Sequence, residues 1–316
     1  MLDRAPPAPR RPQVALLADG RRLHLNDGPI DLVIEASGAD AAVAQAYAAA
    51  QARFTGLLDE LCLDLTVLRR PPTAGDRLSG AVARRMQAAV LPHAPETFIT
   101  PMAAVAGAVA EEILAALVRP GLTRAYVNNG GDIALFLAPG AEFTVGLVDR
   151  PDQPRLIGTV HLGADSGIGG IATSGWRGRS FSLGIADAVT VLAASAAAAD
   201  AAATVIANAV DLPGHPGVER MAACALQPDT DLGARLVTRA VAPLTPEACA
   251  AALAQGLSCA TALVRKGLIQ AAALHLQGHS RATDPTLLAA RPLSAPAGKA
   301  VPLSRSSNPE KEHAHA

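Results

Sequence analysis

Aromatic residues are scarce in this chain. Phe, Trp and Tyr make up 3% of 316 residues, with a single Trp. A core built without large rings has to close with small side chains, and alanine fills the gap, so closely packed helices are expected. Charge is also sparse, at 17%, and the formal net charge is −1. No long-range field draws the chain to nucleic acid or to an anionic membrane, and its Arg residues are scattered rather than gathered on a basic face. The four cysteines, Cys62, Cys224, Cys249 and Cys259, contain no CxxC pair. That spacing argues against a thiolate zinc site and a disulfide framework, and predicts reduced, mostly buried thiols. The N-terminal MLDRAPPAPRRPQ has no apolar signal segment, so a cytoplasmic location is expected. One window, Ala188 to Val210, is long and nearly free of charge. It holds Asp200, whose insertion would cost a few kcal/mol that alanine does not offset, so no membrane span is expected.

Half of the residues are apolar, ample for a large core. Residues 1–12 read as a flexible Pro/Arg-rich terminus, 13–280 as one domain, and 281–316, rich in Pro, Ser and Ala, as a disordered tail. Asp19-Gly20 and Asp27-Gly28 separate apolar runs, predicting antiparallel strands near 13–18, 21–26 and 30–36. Leucines at three- and four-residue steps then predict one long helix from Asp40 to Leu68, with a second over 76–90. A third starts beyond Thr100-Pro101, with Thr100 as cap and Pro101 in the first turn. Strands follow over 124–129, 132–138, 142–149 and 155–162, and then near 167–174 and 187–195. Helices are expected at 197–210 and 246–267, a capped helical segment over 229–237, and a last strand at 268–278. The fold class is α+β, antiparallel strands packed against alanine-rich helices.

Three motifs carry chemistry. Asn128-Asn129-Gly130-Gly131-Asp132 lies between two strands. Paired glycines expose backbone N–H groups and admit a phosphate, while the Asn and Asp side chains read hydroxyl and amide edges; the same string also makes an ordinary hairpin turn. Asp200 and Thr204, at i and i+4, share a helix face and offer hard oxygen ligands suited to Mg²⁺; Asp200 equally suits the first turn of its own helix. Thr173-Ser174-Gly175 ends a strand where hydroxyls either border a ligand or form a turn. Trp176, Arg177 and Arg179 follow as a stacking and anion-binding rim or a plain surface loop. Gly167-Ile-Gly169-Gly170-Ile-Ala172 fits a dinucleotide fingerprint, but TSGWRGRSFS is a poor helix start, and that reading is rejected. His161, His215 and His275 are isolated from one another.

Taken in order, AAVAGAVAEEI, YVNNGGDIAL, IATSG and ADAAAT resemble the ApbE family of flavin transferases, in a shorter divergent branch of uncharacterised, thiamine-biosynthesis-like proteins. The resemblance covers residues 14–279. It implies a single ApbE-like domain in which Asn128, Asn129, Gly130, Gly131, Asp132, Thr173, Ser174 and Gly175 border FAD or a related nucleotide, with Asp200 and Thr204 as Mg²⁺ ligands. It also implies transfer of FMN to an acceptor protein, or hydrolysis of FAD. Two features depart from the family pattern. Ala106 stands where the transferases carry Lys, and their His-x-x-Asp-Pro segment has no counterpart, Asp187 being the nearest stand-in. These departures keep open a non-catalytic flavin- or pterin-binding protein, and an enzyme of cofactor metabolism with another phosphorylated substrate. The alanine-rich helices would suit a homodimer interface.

Overall fold

The computed structural model describes residues 12–150, 153 and 156–288. The predicted tail beyond 288 and the terminus before 12 lie outside the described residues. Asp19-Gly20 and Asp27-Gly28 do form turns between antiparallel strands β1 (Gln13–Leu16), β2 (Leu23–Asp27) and β3 (Ile30–Gly38). The expected long helix over 40–68 is broken. It forms α1 (Asp40–Phe54), α2 (Leu57–Leu63) and α3 (Leu65–Leu68). Gly56 at φ +80° supplies the left-handed break, a conformation glycine adopts at little cost. The leucine period continues across it because Leu57, Leu58, Leu61 and Leu68 all return to the core that receives Phe54.

The next helix, α4 (Ala81–Val90), is shorter than the expected 76–90. Asp76 instead folds a turn, accepting from the Thr73 N–H at 2.9 Å. Pro101 opens a 3₁₀ turn leading into α5 (Val105–Leu117), as its fixed φ allows. Thr100 does not cap it, because its hydroxyl donates to Asp231 across the molecule.

Strands β4 (Leu122–Asn129), β5 (Asp132–Leu137), β6 (Glu142–Val148), β7 (Leu156–Gly163), β8 (Gly170–Ser174) and β9 (Ala188–Ala193) follow. Helix α6 (Ala196–Ala209) comes next, and then β10 (Val218–Ala222), α7 (Ala223–Leu226) and β11 (Leu236–Val241). The capped helix expected over 229–237 is therefore a turn running into a strand. Helix α8 (Pro246–Arg265), β12 (Ala271–Leu276) and β13 (His279–Ala282) complete the order, and a 3₁₀ turn at Pro285–Leu288 closes it. The ordered chain thus passes the expected boundary at 280, because β13 pairs with β12 and belongs to the main sheet.

That sheet has nine strands in the order β1-β2-β3-β4-β5-β8-β9-β12-β13, and its strand pairings are antiparallel. Two cores lie on its helical face. One packs α1, α4 and α5 against β2–β5, and the other packs α6 and α8 against β8, β9 and β12. The β6–β7 hairpin covers the opposite face through Phe143, Leu147, Val160 and Leu162. Alanine sets the closeness: α6 buries eight residues, Ile206 and seven alanines.

The apolar window 188–210 is a strand, a bend and a helix rather than one span. Helix α8 is long and apolar enough to cross a membrane by length and composition alone, and it packs Leu253, Gly256, Ala260 and Leu263 inward. Cys62 and Cys224 are exposed, against the expectation of mostly buried thiols, while Cys249 is buried.

Candidate functional site

Asn129 pairs with Asp132 across the β4–β5 ladder, so Gly130 and Gly131 are the two-residue turn. Their φ angles of +66° and +120° require glycine. The hairpin reading of the motif is therefore correct as geometry. Strand alternation then separates the neighbours. Asn128 lies on the hairpin face, where its Oδ1 accepts from the Gly131 N–H at 2.8 Å. Asn129 is buried on the helical face and donates to the Ala106 carbonyl at 3.1 Å, so its amide ties β4 to the start of α5. Asp132 shares that face, and its Oδ1 accepts from the Thr173 N–H at 3.2 Å.

Asp200 comes to the same place from α6. The Ser195 hydroxyl caps α6, accepting from Ala198 at 3.3 Å, which leaves Asp200 for another helix. Its Oδ2 accepts from the Gly107 N–H at 3.0 Å, and the Ala106 N–H points to the same carboxylate. These amides open α5, so Asp200 caps a helix ninety-three positions away. The exchange is reciprocal: on α5, Glu111 Oε2 accepts from the Ala197 N–H in the first turn of α6 at 3.3 Å. Gly107 makes the approach possible, since a Cβ there would lie 2.2 Å from the Ala196 carbonyl oxygen.

Asp132 and Asp200 face one another across this junction. Each keeps partial contact with solvent, although protein surrounds both. Burial, opposed by the Thr173 N–H and the Arg179 charge, pushes Asp132 up to about 7. Burial, and then the Asp132 charge, raises Asp200 well above the usual carboxylate range, against the pull of the Gly107 and Ala106 amides. Arg179 lies across the turn: a Cβ on Gly130 would come within 2.5 Å of its guanidinium.

The candidate residues thus divide between the two faces at one end of the sheet. Asn129, Asp132 and Asp200 converge on the helical face, with Thr204 one turn beyond Asp200. Ser174, opposite buried Val189, lies on that side too. Asn128, Gly131 and Thr173 line the cleft beneath the β6–β7 hairpin, where the Thr173 and Thr190 hydroxyls bond at 2.9 Å. Gly175 is buried against the Ala186 and Asp187 carbonyls. Asp187 does not join the pair, because its carboxylate accepts from Trp176 Nε1 at 3.1 Å, Arg177 Nε at 2.6 Å and the Gln277 N–H at 2.6 Å. Sequence reasoning missed Gly107 and Glu111. A lone glycine in an alanine-rich helix is the signal for close helix approach that pointed to the former.

This geometry belongs to a recognisable lineage, since the model of a family described as "AbpE bacteria" matches residues 14–282. The chain belongs to the AbpE bacteria family. Curated relatives of this AbpE-family chain include a UPF0280 protein of Methanothrix thermoacetophila, 38% identical over 131 residues, which cover 37% of this chain and 49% of the relative. A UPF0280 protein of Methanopyrus kandleri is 43% identical over 122 residues, covering 38% and 48%. The chain spans about half the length of the curated relatives it matches. Among solved structures, the apo flavinyl transferase ApbE of Pseudomonas stutzeri is similar over 81% of this chain and 78% of its own, at 15% identity and a TM-score of 0.35.

Proposed function

We propose that this AbpE-family chain is a magnesium-dependent enzyme that cleaves the diphosphate of a flavin nucleotide, either transferring FMN to an acceptor protein or hydrolysing FAD. The observation that carries the proposal is the pair Asp132 and Asp200 beside a glycine turn, two carboxylates raised by burial, Asp200 also by the Asp132 charge. A divalent cation between them would relieve both. The donor set fits magnesium: two carboxylates and the Thr204 hydroxyl are hard oxygens. Among the described residues no group of three or more His, Cys, Asp or Glu forms a metal cluster. The protein would supply part of the shell, leaving places for water and phosphate oxygens. When bound, the ion neutralises charge developing on the leaving phosphate.

The chain's own residues orient the diphosphate. The Gly130-Gly131 turn presents a surface without side chains, so a phosphate can approach the backbone. Arg179, exposed beside Gly130, supplies a positive charge that acts on Asp132, whereas Ala106 carries none. The amides of Ala106 and Gly107 hold Asp200 in one orientation and oppose the burial that raises it, and a bound cation would complete the stabilisation of its ionised form.

Incubation with FAD and Mg²⁺ tests the reading. Release of FMN and AMP, lost in Asp200→Ala, is expected; no product with or without an acceptor protein would refute catalysis. A non-catalytic flavin-binding protein is the second reading. Asp187 favours it, because the nearest stand-in for the family's His-x-x-Asp-Pro segment is spent on Trp176, Arg177 and the Gln277 amide. FAD retained intact would support that alternative.

A further inference from the structure

The two edges of the nine-stranded sheet are not protected alike. Edge strands stay single when a charge, a proline or a covering element blocks a new partner. The β13 edge carries exposed Arg281. At the other edge, β1 is Gln13-Val14-Ala15-Leu16, four uncharged and exposed residues that pair only with β2 among the described residues. Val14 stands opposite Leu25 and Leu16 opposite Leu23, so both point to the helical face. Leu23 and Leu25 are buried there, whereas Val14 and Leu16 are 39% and 59% exposed. The apolar row therefore runs on past the helices. Helix α1 packs on β2 and β3, and its exposed positions between Asp40 and Arg53 are all alanine or glutamine. No charge from that helix defends the edge.

The direction of the backbone groups fixes how this edge can be used. The Leu17 N–H donates to the Arg22 carbonyl at 2.8 Å, in step with the β1–β2 ladder. Antiparallel ladders alternate, so Gln13 and Ala15 direct their N–H and C=O to β2, and those of Val14 and Leu16 point outward. A new antiparallel strand has to offer its own outward groups to these two residues. A second β1 does so about a two-fold axis at Ala15. Val14 then meets the partner's Leu16, and Leu16 the partner's Val14, each pair exchanging both N–H···O bonds. The same pairs bring apolar side chains together on the helical face, the self-complementarity that a two-fold interface needs. The chain's own N-terminal segment is a worse occupant. Residues 1–11 include Pro6, Pro7 and Pro9, which have no N–H to give a ladder.

We infer that β1 pairs with β1 of a second copy of this chain, antiparallel about Ala15, joining the two main sheets edge to edge. The seam is short beside the about 20–30 residues a side of a lasting interface, so the dimer is reversible. The inference does not rest on the flavin reading.

Sedimentation velocity of the full chain tests this. Wild type should pass from monomer to dimer as its concentration rises to about 0.1 mM. Leu16→Pro removes an outward N–H and spares the bonds to β2, and Val14→Lys sets a charge in the seam. Each should weaken dimerisation about tenfold or more. Far-UV circular dichroism matching wild type shows these variants folded; if either misfolds, a pair of cysteine variants decides alone. About the proposed axis Ala15 faces its own copy as a non-hydrogen-bonded pair, with Cα atoms about 4.5 Å apart, within the span of a disulfide. Ala15→Cys should therefore cross-link under mild oxidation, whereas Gln13→Cys should not exceed the wild-type background from exposed Cys62 and Cys224. A wild type that stays monomeric, a dimer unaffected by both edge variants, or cross-linking no better at 15 than at 13 would overturn the inference. So would dimerisation that appears only after residues 2–11 are deleted, which would assign the edge to that segment.

Discussion

Asp200 completes the start of one helix while standing on another, and it does so facing a second carboxylate. The arrangement has a pH signature. Asp132 holds its proton in the folded state up to about 7, whereas the unfolded chain releases it near 3.8, as an ordinary aspartate does. Between those values the folded state binds more protons, so stability falls as pH rises through the window. The thermal midpoint of metal-free protein should therefore decline as the pH is raised from about 4 to above 7. Asp132→Asn should flatten that decline, and Mg²⁺ should reverse it for wild type alone. A wild-type profile with the same slope as the variant would contradict the assignment. At this scale the sequence was partly legible. The turn, Asp132 and Asp200 could be read from type and spacing, whereas Asn128 and Asn129 were grouped at one ligand and the strand turns them to opposite faces. The use of Asn129 as a brace for Ala106 could not be read, since it depends on where α5 lands.

At the scale of elements, α5 and α6 are joined by a two-way exchange: Asp200 receives the amides of α5, and Glu111 receives an amide of α6. The closest point is Gly107, against the Ala196 carbonyl. Gly107→Ala would force the helices apart although alanine has the better intrinsic helix propensity. Overpacking of this kind costs about 1–3 kcal/mol, which outweighs the gain of about 1 kcal/mol from propensity. Denaturant unfolding should show net destabilisation, and pyrophosphate binding should weaken as the amides leave Asp200. A stabilised variant would show that the contact is not tight. Periodicity found α1, α4, α5, α6 and α8 but ran α1–α3 into one helix, because a broken helix that keeps burying leucines in the same core leaves the pattern intact. The segment 229–237 was misread for a related reason. Asp229 and Thr230 are good helix openers, but Asp229 pairs with Arg69 and Asp231 with Thr100, and those tertiary partners hold a turn.

Across the described residues, one sheet carries three apolar cores, two on its helical face and one beneath the β6–β7 hairpin. Trp176, the single tryptophan, follows β8 at the sheet end, where its indole donates to Asp187. Its emission and the far-UV circular dichroism should report coincident unfolding transitions, as expected of a cooperative unit. Separated midpoints would mean that the β8–β9 end unfolds on its own. Antiparallel strands against alanine-rich helices were legible from turn dipeptides and composition. The order of strands was not, because β6 and β7 leave the sheet and cover its outer face, a choice made by packing of Phe143, Leu147 and Leu162 rather than by local signals.

Manganese provides the most direct measurement on the central pair. Titration of the full chain with Mn²⁺ in the presence of pyrophosphate, followed by electron paramagnetic resonance, should reveal a single bound ion. Signal from that ion should vanish in both Asp132→Asn and Asp200→Asn. Binding that survives both substitutions, or no bound ion in the wild type, would contradict a site held between these two carboxylates.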